Sequence, residues 1–72
     1  MSTAVVAPIT GIVWKILVTV GDSVTPNQPV ILIESMKMEV PVGSPSAGIV
    51  ETITVSPGDS VEDGDTLATL AC

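Results

Sequence analysis

Slid along itself by 37 residues, the chain meets a second copy of its own pattern: "GIVWKILVTVGDSV" over residues 11–24 falls on "GIVETITVSPGDSV" over 48–61 without a gap. Between 8–24 and 45–61 ten positions are identical, namely Pro8/Pro45, Gly11/Gly48, Ile12/Ile49, Val13/Val50, Ile16/Ile53, Val18/Val55, Gly21/Gly58, Asp22/Asp59, Ser23/Ser60 and Val24/Val61. Repeat units this short cannot bury an apolar face alone, so the two halves must pack on each other about a two-fold axis. Runs rich in β-branched residues, broken by "GDSV", "TPNQP" and "EDGD", read as short strands and tight turns. The expected strands cover residues 3–7, 12–20, 23–25, 30–35, 38–42, 49–55, 60–62 and 66–71. The fold class is all-β: two small antiparallel sheets with strands of the two halves interleaved, packed as a flattened barrel with an internal two-fold repeat. The expected domain organisation is one domain over 1–72.

The matching positions also say which side chains face inward: Val13, Ile16, Val18 and Val24 pair with Val50, Ile53, Val55 and Val61. Val13 and Ile16 are an odd number of residues apart and cannot both face the core from a regular strand. A bulge is therefore expected near Trp14 and Lys15, and again near Glu51 and Thr52. Trp14 aligns with Glu51, which marks it as a half-exposed strand residue. Asn27 aligns with Gly64, and these are the residue types that most readily accept a positive φ, so both halves can make the same turn.

At 72 residues the chain is near the lower size at which a core alone stabilises a fold, and no staple is at hand. A single cysteine, Cys72, cannot close an intramolecular disulfide, and the lack of histidine removes the usual zinc sites. Cys72 has no basic neighbour to activate it and is assigned no role. Apolar residues make up 46% of the chain, yet six glycines and six prolines keep every run well below the ~20 residues of a membrane-spanning helix. Without a secretory leader in "MSTAVVAP", a cytoplasmic protein is the expectation. Two lysines and no arginine against eight Asp and Glu give a net charge of -6, which argues against nucleic acid and anionic membranes as partners. Asp22, Asp59, Glu62, Asp63 and Asp65 lack the spacing of a calcium loop and are read as turn residues.

Within this frame the segment "IESMKMEVPV", residues 33–42, joins the two repeat units. The flanking strands leave a hairpin loop of two residues, Met36 and Lys37, where Asn-Gly, Asp-Gly or Gly-X is the usual choice. A turn that ignores turn chemistry points to a functional demand. A lysine at a hairpin tip is ordinarily a solvated turn residue, and Lys15 is read that way, as a plain surface charge. The setting of Lys37 reverses that reading. Met36 and Met38 could fill a core, but at a short turn they are better placed as exposed flanks.

The sequence Glu34-Ser35-Met36-Lys37-Met38-Glu39, together with "GIVWKILVTVGDSV" upstream, resembles the biotinyl and lipoyl attachment domains, and the resemblance covers essentially the whole chain. It implies a barrel-sandwich hybrid of two four-stranded sheets with the modified lysine on a hairpin. By this resemblance Lys37 matches the biotin acceptor and Met36 and Met38 the flanks read by a biotin protein ligase, with Glu34 and Ser35 completing the motif. Ser35 stands where Ala is commoner, Asn27 where Gly is common, and Thr10 where Pro is frequent. No inserted thumb is visible between Gly11 and Gly21. The implied function is that of a biotin carboxyl carrier visiting a biotin carboxylase and a carboxyltransferase. An acyl-CoA acceptor is favoured, with pyruvate and urea chemically open. The alternative is a lipoyl carrier, in which lipoate would occupy Lys37, but that class typically has Asp-Lys-Ala where this chain has Met36-Lys37-Met38. A binding module without a prosthetic group would have no need of the lysine. With no histidine and no evident nucleophile–base pair, an independent enzyme is disfavoured. The expected form is a monomer in isolation that meets its partners in trans.

Overall fold

The computed structural model describes residues 2–71, so Met1 and Cys72 lie outside the described residues. Eight strands form in chain order: β1 (Ser2–Val6), β2 (Gly11–Ile16), β3 (Ser23–Val24), β4 (Pro29–Ser35), β5 (Met38–Gly43), β6 (Gly48–Ile53), β7 (Ser60–Val61) and β8 (Thr66–Ala71). They make two antiparallel sheets of four, ordered β1-β8-β6-β3 and β5-β4-β2-β7. A shift of 37 residues converts the first order into the second, strand for strand. Each sheet therefore takes two strands from each half, as the repeat required.

The core obeys the same shift. Buried residues pair as Val5/Val42, Val13/Val50, Val24/Val61, Val30/Leu67 and Ile33/Leu70, and Val5/Val42 adds an identity to those between 8–24 and 45–61. Burying a Val, Leu or Ile side chain contributes about 1.5–3 kcal/mol, so these pairs are a main source of the fold's stability. Ser44, the counterpart of buried Ala7, is the one buried polar residue among those described, and its hydroxyl donates to the Ser46 carbonyl at 2.6 Å. Even the backbone bonds outside the ladders come in related pairs. Asn27 N–H donates to the Ser44 carbonyl and Gly64 N–H to the Ala7 carbonyl, both at 2.8 Å.

Both expected bulges are present, as register shifts between Val13 and Lys15 and between Val50 and Thr52. They let Val13 stay buried while Ile16 turns partly inward. One strand boundary needs correcting: the expected strand over 12–20 ends at Ile16. Asp22 is the cause. Its carboxylate accepts the Thr19 N–H at 2.9 Å and its own N–H donates to the Thr19 carbonyl at 3.0 Å, so the backbone there serves a turn. Val18 is buried without ladder partners. In the second half Asp59 makes the same bonds to Ser56, and that strand ends at Ile53 rather than residue 55. The remaining strand ends agree with expectation to within one residue.

Candidate functional site

The β4–β5 hairpin carries all five residues singled out from the sequence. Its ladder runs from Pro29 opposite Gly43 to Ser35 opposite Met38, leaving Met36 and Lys37 as a two-residue loop. Their φ angles are 52° and 63°, both in the left-handed region, which makes the loop a type I′ hairpin turn. For residues with a Cβ this conformation costs roughly 1–2 kcal/mol each. The ladder sustains it, because a slip of one residue would turn buried Ile31, Ile33 and Val42 to solvent. Beneath the base of the hairpin, Gly11 lies so close to β4 that a Cβ there would sit 2.5 Å from the Glu34 carbonyl oxygen. The identity of Gly11 and Gly48 in the repeat was the sequence signal for this approach.

Lys37 is exposed at the tip, Met36 is 91% exposed and Met38 66%. As expected, the methionines are not core fillers. Ser35 is half-buried at the last strand pair, and Glu34 is exposed one pair lower. Directly across from Glu34 stands Glu39, also exposed, a placement that sequence reasoning had not weighted. Like charges facing each other across a strand pair are mildly destabilising. Lys37 thus stands above a paired negative rim. Lys15 lies in the β2 bulge opposite Leu32, away from any turn. The carboxylates considered as calcium ligands are used otherwise: Asp22, Asp59 and Asp65 accept the N–H groups of Thr19, Ser56 and Glu62, each at 2.9 Å.

Chemically, the hairpin offers a primary amine on a rigid base, open on all sides. Among the described residues none hydrogen-bonds or ion-pairs with the amine, so activation of an attached group would come from elsewhere. This is the geometry of an attachment point, and comparison with known proteins agrees. A family model described as "Biotin-requiring enzyme" matches residues 1–70. The chain belongs to the biotinyl/lipoyl attachment family. It is 48% identical over 65 residues to a biotin carboxyl carrier protein of Streptococcus mutans, covering 90% of this chain and 50% of that protein. With the biotin carboxyl carrier protein of acetyl-CoA carboxylase from Solanum lycopersicum it shares 44% identity over 66 residues, covering 92% of this chain and 94% of the relative. Among solved structures, the urea carboxylase of Kluyveromyces lactis contains a domain that superposes with a TM-score of 0.93 at 38% identity, covering 99% of this chain and 6% of that one. The chain thus spans half of the bacterial relative and a small part of the yeast enzyme.

Proposed function

We propose that this chain is a biotin carboxyl carrier in which Lys37 is the attachment residue. The observation that carries the reading is the type I′ turn made by Met36 and Lys37, where the chain keeps two residues ill suited to the backbone and presents the amine between two exposed thioethers. A base on the ligase would take the proton that Lys37 Nζ loses as the amide forms. Lys37 Nζ would attack the carboxyl carbon of a biotinyl-adenylate presented by the ligase, the amide C–N bond forming as the carboxyl C–O bond to phosphate breaks and AMP leaves. The formal charge changes from 2 - 8 = -6 to 1 - 8 = -7. Bound biotin supplies the ring nitrogen that carries the carboxyl group, and this chain supplies placement. The names of the bacterial and tomato relatives support biotin over lipoate.

In this reading the chain is a non-catalytic subunit acting in trans on a biotin carboxylase and a carboxyltransferase, with an acyl-CoA as the favoured acceptor. It is a monomer between visits and works in the cytoplasm, where the ligase meets the apo form. Intact mass of the protein isolated from its own cells tests the reading: a biotinyl increment on Lys37 is expected, and a lipoyl increment or an unmodified chain would overturn it. Offered biotin ligase and lipoyl ligase separately, the apo protein should accept biotin faster.

A further inference from the structure

Because the two sheets are related by the 37-residue shift, every outward position on one has a counterpart on the other, and the two outer faces differ. On the sheet containing the hairpin, the register sets Lys15, Leu32 and Pro41 in one row, with Trp14 as the extra residue of the bulge. Their counterparts are Thr52, Thr69 and Ala4, with Glu51 as the bulge residue. The second row is a closed polar network. Thr52 and Thr69 hydroxyls lie 2.6 Å apart, Ser2 Oγ donates to Glu51 Oε1 at 2.8 Å, and Thr69 Oγ1 approaches the same oxygen at 3.4 Å. The first row instead carries Leu32 and Pro41 with the charged Lys15 at its end, and the bulge residue Trp14 is 50% exposed. One row nearer the tip, Ile12, Glu34 and Glu39 correspond to Ile49, Ala71 and Ser2. Only the hairpin's sheet therefore combines Trp14, Leu32 and Pro41 with an acidic pair. The fold does not demand either feature, since its other sheet forms with Glu51, Thr69 and Ala4 in the same places.

We propose that this face, Trp14, Leu32 and Pro41 edged by Lys15, with Glu34 and Glu39 between them and Lys37, is the docking surface for the ligase that modifies Lys37, which would present an apolar groove with Lys or Arg set against the two glutamates. The inference rests on the carrier reading. Three observations single out the ligase. It acts on Nζ itself, so its body must cover the hairpin, and Leu32 lies three residues below the last strand pair, roughly 10 Å at the usual rise per residue. An enzyme working at the far end of an attached arm has no such obligation. The facing Glu34 and Glu39 repel each other in the free chain and gain most from a cation set between them. A half-exposed tryptophan beside a leucine and a proline is the kind of anchor that carries binding energy at interfaces.

The test uses the apo protein and the ligase from its own source. Trp14→Glu and Leu32→Thr place on this sheet the residues its mate already carries as Glu51 and Thr69. Trp14→Glu is expected to raise the KM for the apo protein about tenfold, and Leu32→Thr by less, with kcat within about twofold. Both variants should still reach complete labelling at Lys37 with excess ligase, and Thr69→Val on the other sheet should leave KM unchanged. The chain has one tryptophan, so a 15N-labelled wild type has one indole N–H signal, which should shift on adding unlabelled ligase. Thermal melts report folding, and Leu32→Thr serves if Trp14→Glu does not fold. A KM unchanged in both variants, or an unmoved indole signal, would overturn the docking surface while full labelling of the wild type left the carrier reading standing. A wild type that no biotin ligase labels would instead remove the carrier reading. If the wild type sedimented as a dimer that Trp14→Glu dissolved with KM unchanged, the face would belong to a second copy and the proposal would fall.

Discussion

Among the described residues five turns place residues at positive φ, and four of them follow one rule while the hairpin tip follows another. The turns at Gly21, Asn27, Gly58 and Gly64 use glycine or asparagine, and each is held by a side chain that accepts a backbone N–H: Asp22, Gln28, Asp59 and Asp65. The fifth turn uses Met36 and Lys37 at φ 52° and 63°, with neither glycine nor a short polar side chain in the loop. The first four are built by local chemistry. The fifth is imposed by the strand pairing beneath it, and its residues are free to serve something other than the turn. The two-fold sharpens the contrast, because the strand pair equivalent to Glu39 and Glu34 below this turn is Ser2 with Ala71.

The largest expected effect concerns what that freedom is for. Lys37→Arg should keep the fold and abolish avidin binding, whereas Lys15→Arg should label fully; the opposite result would show that position in the hairpin is irrelevant. Next, Met36→Asn combined with Lys37→Gly should restore ordinary type I′ chemistry and stabilise the protein by about 2 kcal/mol, since each left-handed residue is strained by roughly 1–2 kcal/mol. For a domain of this size, that amounts to a rise in melting temperature of about 8 °C or more. No gain in a thermal melt would mean the turn is not strained. At one of the conventional turns the same physics runs the other way. Gly58, at φ 96° with no atom within 4 Å of a Cβ, should lose about 1–2 kcal/mol on change to Ala, purely from the backbone.

The smallest expected effect tests the symmetry of the four conventional turns. Asp22→Ala and Asp59→Ala each remove a carboxylate that accepts an N–H at 2.9 Å, and each should cost about 1 kcal/mol in chemical denaturation. The two values should agree to within about 0.5 kcal/mol, the usual error of comparing independent sites. A clear inequality would mean that the halves are alike in geometry but not in energetics.

Much of this was legible in the sequence because a repeat converts one chain into its own alignment. The identities at Val13, Ile16 and Val18 with their mates named inward positions, and the odd spacing of Val13 and Ile16 required a bulge where one occurs. The equivalence of Asn27 and Gly64 announced two positive-φ turns. The misfit of Met36 and Lys37 with turn chemistry marked the site, because local rules are broken where something else is selected. Two features were not legible. The strand over 12–20 looked continuous because Leu17, Val18 and Val20 favour strands, and only the closed Asp22 turn shows where the ladder stops. Glu39 was visible as one more acid, while its opposition to Glu34 depends on register.

The sequence by itself determined the class of fold, the two-fold, the turns and the residue at the tip, because side-chain period, backbone preference and self-similarity are local or pairwise properties of the chain. Which strands share a sheet, and hence which exposed residues become neighbours, was decided only by the tertiary structure. Trp14, Leu32 and Pro41 are spread over 28 positions of sequence and come to one face because β2, β4 and β5 are hydrogen-bonded in a particular register, with Trp14 in the bulge beside the Lys15–Leu32–Pro41 row. Burial restricts that register, since a slip of one residue would turn Ile31, Ile33 and Val42 away from the core. The difference between an apolar face and a polar one is thus a consequence of packing on the opposite side of the same strands.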